Sequence, residues 1–138
     1  MRSRIVLGSL ALLFLLAGQA WALADGDRQG VETALQHYLQ GGAAGDAKRV
    51  AKAFHPQAEL KYVREGAYSE ISLQDYLSRI KEPNDRKARI ASIDIMGNAA
   101  QAKLELESDD YTIVDYMNLL KIEGEWKIVN KIFHFEPK

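Results

Sequence analysis

The chain has no cysteine among its 138 residues and only three prolines. Without thiols it has neither a disulfide framework nor a thiol nucleophile, so its stability must come from packing. An excess of one charge is also missing. Its 18 basic and 19 acidic side chains give a formal net charge of −1, which points away from nucleic acid as a partner. There is no internal repeat, no glycine-rich phosphate loop, no Gly-x-Ser-x-Gly elbow and no dinucleotide fingerprint. His37, His55 and His134 sit on separate segments without ligand spacing, so neither a metal site nor a tightly bound cofactor is expected. His55, next to the Pro56 that ends a helix, is expected to cap the last carbonyls.

Long apolar runs are absent except at the start. Arg2 and Arg4 precede an apolar stretch over residues 5–17, shorter than the roughly 20 residues that span a bilayer. Ala20-Trp21-Ala22 and Ala22-Leu23-Ala24 then place small residues at alternate positions. This is the form of a secretory signal peptide over residues 1–24, cleaved after Ala24, and it predicts a periplasmic or secreted protein with no membrane contact after cleavage. No cysteine follows the junction, which excludes a lipoprotein. Residues 25–138 are enough for one domain with a single core. Losing Arg2 and Arg4 leaves 16 basic groups against 19 acidic ones, a formal charge of −3.

In that remaining segment, Val31, Ala34, Leu35, Tyr38 and Leu39 recur at helical spacing over residues 30–40, and Gly41-Gly42 should stop the helix. Asp46 is placed to cap a short second helix that ends before Pro56. Residues 58–63 and 67–71 read as a hairpin around Arg64-Glu65-Gly66. Ser72-Leu73-Gln74-Asp75 has the form of a capping box, which starts a third helix that Pro83-Asn84-Asp85 breaks. Residues 88–96 and 99–107 are strands around Gly97-Asn98. Helices followed by a long run of antiparallel strands indicate an α+β fold, and such a sheet curls toward its helices around an interior cavity.

The final stretch carries the chemistry. A two-residue turn at Glu123-Gly124 would set Leu119 opposite Ile128, Met117 opposite Asn130, Asp115 opposite Ile132 and Ile113 opposite His134. One face would then hold Asp115, Asn130 and His134 among Ile113, Met117, Leu119, Trp126, Ile128 and Ile132. An acid, an amide and an imidazole are costly to bury unpaired, so they satisfy one another or line a cavity. The other face, with Tyr116, Leu120, Val129, Phe133 and Phe135, is too apolar to stay wet and predicts an interface.

The run from Asp115-Tyr116-Met117-Asn118 through Glu123-Gly124-Glu125-Trp126 to Val129-Asn130-Lys131, with Phe54-His55-Pro56 and Tyr62-Val63-Arg64-Glu65-Gly66, resembles the nuclear transport factor 2-like (SnoaL-like) proteins. Within them it is similar to the group labelled "putative lumazine-binding". The resemblance implies a cone in which a curved antiparallel sheet packs on three N-terminal helices. Related cones commonly pair through the outer sheet face, which implies a homodimer. Some branches are isomerases, dehydratases or cyclases with an Asp or His base, and others are noncatalytic association modules, so the fold alone does not settle the activity.

The expected function is an exported small-molecule-binding protein whose cavity is lined by Tyr38, Tyr62, Asp115, Trp126, Asn130 and His134. The enzymatic alternative uses Asp115 and His134 as a proton-transfer pair. The plain alternative leaves them as a satisfied polar pair that only orders the sheet.

Overall fold

A computed structural model describes residues 9–138, with side chains from residue 24 onward. The side chains of the expected leader as far as Leu23 therefore lie outside the described residues. Among the described residues, no helix is long and apolar enough to cross a membrane.

Three helices and six strands follow in the order α1 (Ser9–Ala44), α2 (Ala47–Ala53), β1 (Phe54–Arg64), β2 (Ala67–Ser72), α3 (Leu73–Ser78), β3 (Lys87–Met96), β4 (Ala99–Glu107), β5 (Tyr111–Ile122) and β6 (Glu125–Pro137). The strands form one sheet in the order β2-β1-β6-β5-β4-β3. Every neighbouring pair is antiparallel except β1 and β6, which run parallel. This is the α+β cone expected from the sequence: one curved, unclosed sheet with helices against its inner face.

The local signals act as read. Asp46 Oδ1 accepts from Arg49 N at 3.0 Å, and Ser72 Oγ accepts from Asp75 N at 3.1 Å, so each carboxylate or hydroxyl satisfies a free N–H at a helix start. In the turns Glu65-Gly66 and Glu123-Gly124 both residues have positive φ, the pattern of type I′. Gly97 alone is positive in the β3–β4 turn, which suits type II′.

Two expectations change. Helix α1 does not stop at Gly41-Gly42 but continues to Ala44. A Cβ on Gly41 would lie 2.8 Å from both the backbone N and Cγ2 of Val50, so this glycine lets α2 pack closely rather than ending α1. His55 does not cap α2. Its Nδ1 accepts from Gln57 N at 3.2 Å, while the cap is the Phe54 N–H bonded to the Ala51 carbonyl.

The largest difference lies in β6. Pairing follows the expected register from Ile122 opposite Glu125 to Leu119 opposite Ile128, and then Asn118 lies opposite Asn130. Val129 has no cross-strand partner and forms a β-bulge. Because side chains alternate with a period of two, one extra residue exchanges the faces of everything beyond it. Lys131 and Phe133 turn inward, while Asn130, Ile132 and His134 turn outward.

The core gathers Val31, Leu35 and Tyr38 of α1, Val50 of α2, Leu104 of β4, and Met117, Leu119 and Ile128 of the last two strands. The Trp126 ring packs against α1 at Gly30, where an added Cβ would come 2.5 Å from its Cδ1. Glycine to alanine in a helix interior normally gains about 0.5–1 kcal/mol. Here Gly30→Ala should instead lower stability by about 1–3 kcal/mol through overpacking, read by urea denaturation. A gain would show that the indole moves aside freely.

Candidate functional site

The bulge brings a lysine into the cone opposite Met117, where the unshifted register would have placed Asn130. Lys131 is 4% exposed and Asp115 is fully buried. Lys131 Nζ lies 2.9 Å from Asp115 Oδ1 and donates to the Tyr38 hydroxyl at 2.7 Å. Tyr38 in turn donates to Asp115 Oδ2 at 2.6 Å. Three residues from α1, β5 and β6 thus close a triangle. The two edges that reach Tyr38 join elements distant in sequence, so the cluster also fixes how α1 sits on the sheet.

Aromatic rings wall the ammonium. Nζ stands 4.9 Å from the Tyr38 ring centroid, 5.4 Å from that of Tyr76 and 4.7 Å from that of Phe133. Ring faces attract a cation by up to about 2 kcal/mol when water is excluded, which offsets part of the cost of burying it. Burial first, then the Asp115 charge, holds the Tyr38 phenol well above its ordinary value of 10.0. Tyr38 is therefore a neutral donor toward Asp115. Its hydroxyl proton is already committed, and its lone pair takes the lysine N–H.

Some hydrogen-bonding capacity is left over. The contact at Asp115 Oδ1 is close but not aligned as a hydrogen bond, so this buried oxygen has no directed donor. The ammonium carries three N–H groups, of which only the one to Tyr38 is well directed. Lys131 also lines the cone cavity, a volume of about 540 Å³ walled by Leu60, Ile71, Ile80, Ile113, Tyr76 and Phe133. The surface offered to a ligand thus has an apolar and aromatic wall with the Lys131 cation at its base, and Arg79, Lys81, Glu82, Asn84 and Arg86 complete the lining. Asp115 lies behind that surface and touches the cavity only through Lys131 and Tyr38.

Of the six residues expected to share one site, only Tyr38 and Asp115 come together, as described. Tyr62 stacks on Phe133 with centroids 4.8 Å apart and lines a separate groove with Tyr68, Tyr116 and Ile132. Trp126 is buried at the opposite end, its Nε1 donating to Asp27 Oδ1 at 3.2 Å, beside a separate groove of about 700 Å³. Asn130 faces outward after the bulge. His134 is 70% exposed and pairs with Glu136 at 2.9 Å, so the expected approach of His134 to Asp115 does not form. The bulge also moves Phe133 and Phe135 off the outer face, where Ile132 and His134 replace them beside Tyr116. Among the described residues, no three His, Cys, Asp or Glu side chains are grouped to hold a metal.

Lys131 was not among the residues singled out from sequence. One signal pointed to it: a carboxylate on an apolar face needs a counter-charge, and Lys131 is the cation within reach on the neighbouring strand. Period-two reading put it on the wrong side.

Residues 26–134 match the family described as "Putative lumazine-binding", and the chain belongs to that family. It is 32% identical over 108 residues to the protein named Aldolase FrzH from Cladobotryum sp, across 73% of this chain and 85% of that one. Among solved structures it is similar to an NTF2-like protein of unknown function from Shewanella baltica, at 31% identity and a TM-score of 0.76, covering 81% of this chain and 95% of that one. It is also similar to an NTF2-like protein of unknown function from Methylobacillus flagellatus, at 28% identity and a TM-score of 0.73, covering 80% and 92%.

Removing one partner of a buried ion pair typically costs about 3–5 kcal/mol, because the other charge is left unpaired. Asp115→Leu should lose about that much, and adding Lys131→Met should restore most of it. Chemical denaturation of the single and double variants checks this, and losses that simply add would contradict the coupling.

Proposed function

We propose that the protein is an exported small-molecule-binding cone whose cavity takes a compact carbonyl compound, with the ligand oxygen accepting from Lys131. The observation that carries this reading is the buried, aromatic-walled ammonium of Lys131, facing a cavity with hydrogen-bonding capacity to spare. Tyr38 and Asp115 hold it in position from behind. Apolar walls with a few well-placed polar groups are the usual composition of a ligand site. Export is supported by the leader pattern, and the family match begins at residue 26, next to the expected cleavage point.

The protein should also work as a homodimer through the outer sheet face. Of the residues expected there, Tyr116 and Leu120 are exposed, and Ile132 with Val63 and Tyr68 of the first hairpin extend the apolar surface. Val129 is half-buried in the bulge, and Phe133 and Phe135 belong to the inner side. Native mass spectrometry of protein recovered from the periplasm tests all three points. The expected result is a chain beginning at Asp25, in dimer charge states, carrying a small molecule that Lys131→Met fails to retain. An uncleaved chain, a monomer or an empty wild-type protein would each remove the corresponding part.

A second reading is favoured by the relative named an aldolase. An enolate oxygen held by a buried ammonium is stabilised as charge develops, which is the electrostatic requirement of aldol-type chemistry. The proton would leave the carbon beside the carbonyl through the Tyr38 hydroxyl, with Asp115 taking the phenol proton. Such a site should catalyse hydrogen–deuterium exchange at that carbon of a bound ketone in deuterated water. Tyr38→Phe should abolish exchange while sparing much of the binding. Wild-type protein that binds the ketone without exchange leaves only the binding reading.

A further inference from the structure

We infer that the cavity selects an anionic ligand, an aromatic or carbonyl compound bearing one acid group, and that Arg86 at its mouth is the residue that recognises the acid. The inference rests on the reading of the cone as a ligand cavity and adds the charge of what enters it.

The chain is net acidic, yet its cavity is not. Arg79, Lys81, Arg86 and Lys131 all line it, against a single lining carboxylate, Glu82. Lys131 is paired with Asp115, but Arg79, Lys81 and Arg86 take part in no ion pair among the described residues. Unpaired cations around a concave, low-dielectric opening focus positive potential there and raise the local concentration of anions.

Arg86 is distinguished by how firmly it is held. Its Nε donates to Asn84 Oδ1 at 2.8 Å, and its backbone N reaches the same oxygen at 3.3 Å. Asn84 is itself fastened to the end of α1, its Nδ2 donating to the Gly42 carbonyl at 2.8 Å and its N to the Ala43 carbonyl at 2.9 Å. Close approach of the same loop is permitted by Gly45, at φ +69°, where a Cβ would stand 2.7 Å from the Glu82 carbonyl carbon. The Nε is thus used for orientation, and the terminal nitrogens, one of them over Gly42, have no acceptor among the described residues. A half-buried guanidinium fixed in this way presents a prepaid geometry to a carboxylate or similar acid. Lys131 at the base and Arg86 at the mouth make two polar anchors joined by apolar wall. That arrangement suits an acid group at one end of a ring or short carbon frame and a carbonyl or hydroxyl oxygen at the other.

The probes are anilinonaphthalene sulfonate, an anion, and N-phenylnaphthylamine, which has the same aromatic frame without the acid. Titration followed by fluorescence should show the anion binding at least about tenfold more tightly, since charge-assisted hydrogen bonds are roughly twice as strong as neutral ones. Arg86→Gln should remove most of that preference while leaving the neutral dye unchanged, and Arg86→Lys should keep part of it. Lys48→Gln, which removes an exposed cation of α2 outside the cavity lining, should alter neither dye. Equal binding of the two dyes, or a preference that survives Arg86→Gln, would overturn the inference while the cavity reading stands. Failure of both dyes to bind would sink the cavity reading and the inference with it.

Discussion

A single extra residue in β6 decides which side chains of the last strand enter the cone, because the alternation of a strand leaves no intermediate position. With Val129 bulged, Lys131 takes the inward place opposite Met117 that Asn130 would have held, and Asp115 acquires a counter-ion at 2.9 Å. Without that cation the carboxylate would be an unpaired buried charge, a cost of several kcal/mol that a small domain stable by about 5–15 kcal/mol could hardly carry. The bulge and the ion pair therefore support each other. The ladder gives up one pairing, and the interior gains a satisfied charge.

The same cluster ties architecture to chemistry. Tyr38 belongs to α1, and its bonds to Asp115 and Lys131 connect that helix to two central strands. Around the ammonium, Tyr38, Tyr76 and Phe133 exclude water on three sides and leave the cavity as the remaining direction. A group built in this manner is stiff, since each side chain is held by at least one other. Stiffness suits recognition, because a positioned donor loses little entropy when a ligand arrives. It also suits catalysis by the same route, so the two functional readings share one geometry and differ only in whether a proton moves.

Elements governed by short-range rules were legible in the sequence. The caps at Asp46 and Ser72 and the turns at Glu65-Gly66, Gly97-Asn98 and Glu123-Gly124 depend on residues within a few positions of one another. The α1 stripe of Val31, Leu35 and Tyr38 and the inward placement of Asp115 also followed from periodicity. The β3 strand shows how a bulge can announce itself. Ala91 is skipped in its pairing, and the inward residues Ile90, Ile93 and Ile95 change phase in step. In β6 both phases carry apolar residues, with Ile132 on one and Phe133 and Phe135 on the other, so period two reads equally well either way.

By itself the sequence determined the family, the α+β order of elements, the turns that set strand pairing near each hairpin, and the buried carboxylate that any fold of this chain must neutralise. Only the tertiary structure decided the partner of that carboxylate, turning His134 to solvent and Lys131 to the interior. The reason is that a bulge shifts register by one residue at almost no cost in local propensity. Its reward, an ion pair and an aromatic cage drawn from α1, α3, β5 and β6, exists only once those distant segments have come together.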